Sequence, residues 1–186
     1  ELAYADSKAL IERWHGKDRN LYAITPRFAP TSSREQLSML GKLASEHPDV
    51  FIQTHLSENQ KEIDWVKQLF PERDGYLDVY DHYGLVRERA VFGHCVHLTD
   101  SEWQRMADAK ATIAFCPTSN LFLGSGLFDM NKARTLKVPV TLATDVGAGT
   151  TFNMFRTYGE GYKVCQLQQT ALSPIEGLYL MTQGAA

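Results

Sequence analysis

Five segments of the chain begin with apolar or β-branched residues and end with polar ones. Runs of this kind are typical of parallel strands that are covered on both faces, because such strands lack the regular polar alternation of a half-exposed strand. The segments are residues 21–29, 50–58, 90–98, 112–120 and 139–147. The pattern therefore predicts five buried strands.

Helical patterns lie between these segments, and three of them carry a start signal. The run Ser-Ser-Arg-Glu at residues 32–35 predicts a capping box before a helix over residues 36–46. The run Thr-Asp-Ser-Glu at 99–102 predicts another, before a helix over residues 102–110. Ser173 followed by Pro174 predicts a helix that begins at the proline and runs toward Met181.

Residues 58–70 carry apolar side chains at mixed helical spacings, with Ile63, Trp65, Val66 and Phe70. This spacing predicts a helix that packs one face on the sheet. The successive strands start roughly 22 to 40 residues apart, which is the size of a strand–helix–strand unit. A doubly wound open sheet and a (β/α)8 barrel both fit this alternation.

Every predicted strand ends in hydrogen-bonding or ionisable side chains. In a barrel, the C-terminal ends of the strands carry the active site, so these side chains are candidates for one shared site. In chain order they are Arg27, His55, Glu58, His94, His97, Thr118, Ser119, Asn120, Thr144 and Asp145. The chain has no Gly-rich phosphate-binding fingerprint, and the Gly-x-Gly runs at 124–126 and 147–149 have the composition of turns.

Two histidines and two carboxylates among these residues can carry chemistry. Imidazole from His55 and carboxylate from Asp145 are ligands for Zn²⁺ or Fe²⁺. Glu58, three residues after His55, can transfer protons beside such a metal. His94 follows Gly93, which allows close approach of a ligand. A hydrolytic metal site and a metal-free acid–base site both remain open, as do structural roles for single residues.

The composition restricts the kinds of partner that are expected for this chain. The formal net charge is −3, with 19 basic and 22 acidic residues and no basic run, so no nucleic acid partner is expected. The apolar runs are far shorter than the roughly 20 residues of a membrane helix, so no membrane partner is expected. No signal peptide is visible. The three cysteines are an odd number without a Cys-x-x-Cys pair, which indicates buried thiols and a cytoplasmic location.

Taken together, four motifs resemble the aminohydrolase branch of the amidohydrolase superfamily. They are His-Leu-Ser-Glu at 55–58, Gly-His-Cys-Val-His-Leu at 93–98, Cys-Pro-Thr-Ser-Asn at 116–120 and Ala-Thr-Asp-Val-Gly at 143–147. The resemblance implies an α/β fold: a metal-dependent (β/α)8 TIM-type barrel, of which residues 1–186 supply strands 4–8. Within this branch, the stretch Thr-Pro-Arg-Phe-Ala-Pro at 25–30 is similar to guanine deaminases.

The resemblance also implies roles for individual residues. His55 and Asp145 are then the ligands of one divalent metal, zinc before iron, and they also lie at the substrate. Glu58, His94 and Asp145 are the catalytic residues: Glu58 carries protons, and His94 and Asp145 orient the attacking water. Arg27 and Phe28, together with His94, bind the substrate. The implied activity is hydrolysis of guanine to xanthine and ammonia, in a homodimeric enzyme.

One part of the family pattern has no counterpart. The first-strand His-x-His motif, which supplies two more metal ligands, is missing, and a complete barrel has eight strands and about 250 residues. We therefore expect a C-terminal fragment of a longer enzyme, inactive and unable to hold the metal by itself. The alternatives are a related aminohydrolase acting on a pterin, a triazine or another purine, and a non-catalytic fragment that contributes an interface.

Overall fold

The computed structural model describes residues 2–186 and contains one parallel sheet of five strands. The strands are β1 (Ala23–Ile24), β2 (Phe51–Leu56), β3 (Ala90–His94), β4 (Thr112–Phe115) and β5 (Val140–Leu142). Each strand pairs with the next one along the chain, so the order is β1-β2-β3-β4-β5. A doubly wound sheet reverses its strand order at a switch point, which this sheet does not do. The consecutive order is that of a barrel.

Nine helices accompany the sheet within the described residues. They are α1 (Leu2–Trp14), α2 (Arg34–Glu46), α3 (Gln60–Leu69), α4 (Tyr76–His82), α5 (Asp100–Ala109), α6 (Pro117–Leu123), α7 (Met130–Thr135), α8 (Met154–Leu167) and α9 (Pro174–Met181), with a 3₁₀ turn at Ala29–Thr31. Right-handed crossovers between consecutive parallel strands place the connecting helices on one face of the sheet. Across residues 2–186, none of these helices combines the length and the apolar character that a membrane crossing needs.

The predicted start signals lie at or close to the observed starts of the helices. The Thr99 side chain accepts a hydrogen bond from the Glu102 backbone N–H, and the Glu102 side chain accepts one from that of Thr99, which confirms the capping box. Ser173 caps α9, and Pro174 is its first residue, as expected. At α2 the cap is Ser33 alone, accepting from Gln36 N–H at 3.1 Å, so this helix begins two residues earlier than the pattern predicts.

The predicted strands are longer than the observed ones. Residues 117–120 were expected at the end of a strand but form the start of α6, with Pro117 in its first turn. Pro is favoured there because its fixed φ suits a helix and its missing N–H has no partner in that turn. Residues 95–98 and 143–147 likewise lie beyond the strands, in the connections that follow them. His55 and His94 therefore lie at the ends of their strands, and the other polar residues of the pattern lie just past the strand ends.

The core lies between the sheet and its helices. In β2, Ile52, Thr54 and Leu56 are fully buried, while the alternate residues Phe51 and His55 are half-buried. The prediction of strands covered on both faces is therefore correct for one face only. The expected stripe of α3 is partly wrong as well: Val66 and Phe70 are buried, but the Trp65 side chain is 45% exposed.

Candidate active site

A cavity of about 540 Å³ opens at the C-terminal ends of the strands. Its walls come from the segment after β1, from the end of β2, from α3, from the end of β3 and from the loop after β5. All six residues to which the family resemblance assigns a role line it: Arg27, Phe28, His55, Glu58, His94 and Asp145. The structure thus brings them together, as the strand-end pattern predicts.

Three of these residues can share one ion. The nearest ligand atoms of His55, His94 and Asp145 all lie within 4.8 Å of one another. The two imidazole rings are 5.2 Å apart between centroids. Nitrogen ligands from histidine and an oxygen ligand from aspartate form a donor set that suits zinc or iron(II). Geometry alone leaves open which two or three of them act as ligands.

His55 is oriented by the backbone in front of it. Its Nδ1 lies 2.8 Å from the carbonyl oxygen of Arg27. A carbonyl oxygen can only accept, so Nδ1 carries the hydrogen and donates it. In the neutral ring, the lone pair is then on Nε2. Metal-binding histidines are commonly held in this way, with one nitrogen donating to a carbonyl and the other free to bind the metal.

Tyr80, on α4, fixes the backbone around His55, a role that the sequence pattern does not reveal. Its hydroxyl donates to the carbonyl oxygen of His55 at 2.9 Å and accepts from the Ala29 N–H at 2.8 Å. It also lies 3.2 Å from Thr54 Oγ1. The ring is fully buried, and burial raises the pKa of Tyr80 to about 12. The neutral hydroxyl therefore ties the segment after β1 to β2.

His94 is buried at the centre of the site. Its Nε2 lies 3.6 Å from Glu58 Oε2 and 4.0 Å from Asp145 Oδ2. Its Nδ1 lies 3.0 Å from the amide nitrogen of Asn120. Burial lowers the pKa of His94 below its ordinary value, and the two nearby carboxylates oppose this only in part. The neutral ring is therefore favoured.

The backbone at the site is unusual in several places. Ser57, His94 and Asp145 all have positive φ, at 49°, 70° and 48°. Residues other than Gly, Asn and Asp rarely adopt this left-handed region, so Ser57 and His94 are the unusual ones, and such strain concentrates at functional sites. Each of the three turns the chain sharply at the point where a strand gives way to a loop. Glu58, His94 and Asp145 are directed into the same cavity as a result.

The substrate side of the cavity is aromatic and basic. The Arg27 guanidinium lies over the Phe28 ring, 4.6 Å from its centroid. The Phe28 ring contacts the edge of Trp65, with centroids 6.4 Å apart and planes at 79°. Trp65 lines the cavity rather than the core, so it joins the candidate site as a residue that the sequence analysis assigned to packing.

Other polar residues from the strand-end pattern have supporting positions. His97 Nε2 donates to the carbonyl oxygen of Ser125 at 2.6 Å, and His97 does not line the cavity. Thr118 Oγ1 donates to the carbonyl oxygen of Thr144 at 3.1 Å, which ties α6 to the loop that carries Asp145. The three cysteines are free and buried. Burial raises the pKa of Cys116 to about 12, so its thiol is neutral near pH 7.

Comparisons with known proteins agree with this architecture. The amidohydrolase family matches residues 3–186. A guanine deaminase of Escherichia coli (strain K12) is 59% identical over 186 residues, and a solved structure of E. coli guanine deaminase superimposes with a TM-score of 0.97 over the whole chain. A crystal structure of guanine deaminase from C. acetobutylicum with bound guanine is 31% identical, with a TM-score of 0.91 over 99% of the chain.

These relatives are longer than the chain. It covers 42% of the E. coli relative, 43% of the E. coli structure and 46% of the C. acetobutylicum structure. The α/β fold, with its five consecutive parallel strands, matches these amidohydrolase barrels over the part that aligns.

Proposed function

The chain belongs to the amidohydrolase family, and from this we propose that it forms most of the active site of an enzyme that hydrolyses guanine to xanthine and ammonia. The observation that carries the proposal is the cavity in which Arg27 and Phe28 face His55, Glu58, His94 and Asp145. The strong similarity to guanine deaminases supports it. In this interpretation the five strands are the fourth to the eighth of the barrel.

Amidohydrolase family enzymes use a divalent metal, and the residues of this cavity fit one. His55 has its Nδ1 hydrogen engaged by the Arg27 carbonyl, which leaves Nε2 as a donor atom. Asp145 supplies a carboxylate oxygen within 4.8 Å of the histidine donors. We propose zinc, with iron(II) as the alternative, because both accept this nitrogen and oxygen set. The metal supplies Lewis acidity and makes hydroxide available near neutral pH.

The purine would lie between Phe28 and the histidines. The Phe28 ring offers a flat apolar face, and the Arg27 fork of donors suits the acceptors on the carbonyl edge of guanine. Trp65 extends the aromatic wall beside Phe28. This arrangement would present the amino-bearing carbon C2 of guanine to the cluster of His55, His94 and Asp145.

Proton transfer falls to Glu58. Its Oε2 is 3.6 Å from His94 Nε2 and is therefore close to the place where water attacks. Glu58 would take a proton from the attacking water and deliver it to the ring nitrogen beside C2, which makes that carbon more electrophilic. A C–O bond then forms at C2, the remaining proton of the added hydroxyl passes through Glu58 to the amino group, and the C–N bond breaks to release ammonia. Asp145 and His94 would hold the attacking oxygen in line.

The closest competing function is deamination of another ring, such as a pterin, a triazine or a different purine. The test is ammonia release by the full-length protein, loaded with zinc or iron(II), over a panel of these amines. We expect guanine to be the best substrate and Glu58→Gln to lose about 10²- to 10⁴-fold in kcat. Turnover of a different amine with none of guanine would replace the proposal with that activity.

Two further features are proposed on the resemblance. The whole enzyme would be a homodimer, which light scattering at several concentrations would test. It would act in the cytoplasm, which the three free buried thiols support, since reduced cysteines are usual there.

A further inference from the structure

Two buried side chains that do not line the cavity reach the groups that would carry protons. The Asn120 amide nitrogen lies 3.0 Å from His94 Nδ1, and Ser125 Oγ donates to Glu58 Oε1 at 3.3 Å. Asn120 is 2% exposed. We propose that Asn120 is a positioning residue that holds His94 in the tautomer with its hydrogen on Nε2. The inference rests on the proposed function and adds to it that His94 donates a hydrogen bond toward the cavity.

The charges around His94 decide between its two neutral forms. Nε2 faces carboxylate oxygens of Glu58 and Asp145, at 3.6 and 4.0 Å. A hydrogen on Nε2 is attracted by both, whereas a lone pair there would be repelled by both. Nδ1 is then the acceptor and needs a donor. Among the described residues, its hydrogen-bond partner is the amide nitrogen of Asn120.

The amide of Asn120 can also be considered in the opposite orientation. As described, Asn120 Oδ1 is buried and has no partner in residues 2–186. Rotation of the amide would place Asn120 Oδ1 against His94 Nδ1, and the NH₂ group would then be the group without a partner. Either orientation leaves one buried group unsatisfied, so the hydrogen-bond count does not separate them. The two carboxylates at Nε2 do, and they favour the amide nitrogen as donor.

The backbone holds Asn120 in place. It lies in α6, where its N–H donates to the carbonyl oxygen of Cys116 at 3.0 Å, and its own carbonyl accepts from the Ser125 N–H at 2.8 Å. The carbonyl of Ser125 is in turn held by His97 Nε2 at 2.6 Å. His94, Asn120, Ser125 and Glu58 thus form a continuous chain of hydrogen bonds around the outside of the cavity. This gives His97 a supporting role as well.

The tautomer has a chemical consequence. With its hydrogen on Nε2, His94 is a donor toward the cavity, so it would hold the attacking oxygen and would not be a metal ligand. Of the three residues whose donor atoms cluster, this chain would then supply two ligands, His55 and Asp145. It also leaves Glu58 as the residue that accepts the proton of the attacking water.

The direct test is ¹⁵N NMR of histidine-labelled full-length protein without metal, with His94→Gln used to assign the signal. We expect His94 to carry its hydrogen on Nε2. Asn120→Asp keeps the size and shape of the side chain but replaces the donor with an acceptor. With carboxylates then facing both ring nitrogens, it should add a second hydrogen on Nδ1 and give a charged imidazolium. It should lower kcat by about 10- to 100-fold, the usual range for residues that orient groups at a metal site, with KM changed by less than about threefold.

Asn131→Asp is the matched control, because Asn131 is an exposed asparagine on α7. It should leave both the His94 signal and kcat unchanged. A native His94 with its hydrogen on Nδ1 would overturn the proposal, and so would an Asn120→Asp variant with native kcat. The NMR result does not depend on turnover. If guanine is not a substrate, the proposed function fails, while the tautomer is still decided.

Discussion

The Nδ1 atom of His55 lies 2.8 Å from the carbonyl oxygen of Arg27. The residue proposed to bind the metal is therefore oriented by the backbone of the residue proposed to bind the substrate. The side chain of Arg27 points elsewhere, to the face of Phe28. The two functions of this residue, backbone support and side-chain recognition, can consequently be separated by mutation.

Arg27→Ala should damage recognition of guanine without loss of metal. A hydrogen bond from a charged donor contributes about 1.5–3 kcal/mol, and each 1.4 kcal/mol is tenfold in binding, so kcat/KM for guanine should fall by roughly 10- to 100-fold. The carbonyl that holds His55 remains in the variant, so the metal content should not change. Ammonia release and elemental analysis together measure the two effects. The control is Arg13→Ala, on the exposed side of α1.

An equal loss for guanine and for the other amines of the panel would speak against a guanine-specific role of Arg27. A loss of metal in Arg27→Ala would show that the side chain also supports His55.

Alanine variants can distinguish the residues that bind the metal from a residue that only lies beside it. His55→Ala and Asp145→Ala should lose most of the bound metal, because each removes one donor atom directly. His94→Ala should keep it, since the proposed tautomer directs a hydrogen into the cavity. Elemental analysis after dialysis of the full-length protein measures all three variants. His82→Ala, an exposed histidine at the end of α4, is the control.

If His94→Ala loses metal as fully as His55→Ala, then His94 is a third ligand from this chain. The donor cluster would in that case act as one unit, and the assignment of His94 as a donor to water would be wrong.

The convergence of His55, His94 and Asp145 follows from the sequence. Parallel strands in consecutive order bring their C-terminal ends to one edge, so residues at or just past the ends of three such strands must lie near one another. The boundaries were less predictable. Residues 117–120 have the apolar start of a strand before them, but Pro117 begins a helix, and the sequence analysis missed this signal.

The supporting residues were not predictable from spacing. Tyr80 reaches His55 from 25 positions away along the chain, and Asn120 reaches His94 from 26. Such contacts depend on how α4 and α6 pack on the sheet, which no local pattern encodes. The position of Trp65 was also not predictable from the local pattern. Its spacing within α3 fits a packed face, yet the rotation of the helix places it in the wall of the cavity.

Glu62, in the first turn of α3, should make stability depend on pH. Its side chain is buried, and burial raises the pKa of Glu62 above its ordinary value of 4.5, with the nearby Glu58 carboxylate adding to the effect. The folded state therefore binds this proton more tightly than the unfolded state. The stabilisation is fully present below the ordinary pKa and is lost as the pH rises through the folded-state pKa.

Glu62→Gln removes this titration. The variant and the wild type should have similar free energies of unfolding near pH 4, and the variant should become the more stable of the two as the pH rises toward about 8. Urea unfolding across this range measures the difference. Glu12→Gln, at an exposed position on α1, is the control for the loss of one negative charge. A difference that stays constant with pH would show that Glu62 has the same pKa in both states.

Trp65 offers a direct signal of substrate binding. Its ring contacts Phe28 at the cavity wall and is 45% exposed, whereas Trp103 is buried in the core and Trp14 lies on α1. A base stacked against the Phe28–Trp65 wall should quench the fluorescence of Trp65 alone. Trp65→Phe should abolish this quenching and leave KM almost unchanged, because an aromatic ring remains at that position.

Trp65→Ala, in contrast, should raise KM for guanine with little change in kcat. Stacking on an aromatic side chain contributes about 1–3 kcal/mol per base, which corresponds to roughly 5- to 150-fold in affinity. Trp65 would contact the face of the ring and not the atoms that gain or lose protons, so we expect it to hold the substrate and the transition state equally, and such uniform binding acts on KM. A fall in kcat without a change in KM would instead place Trp65 among the groups that act in the chemical step. Trp14→Ala should alter neither constant.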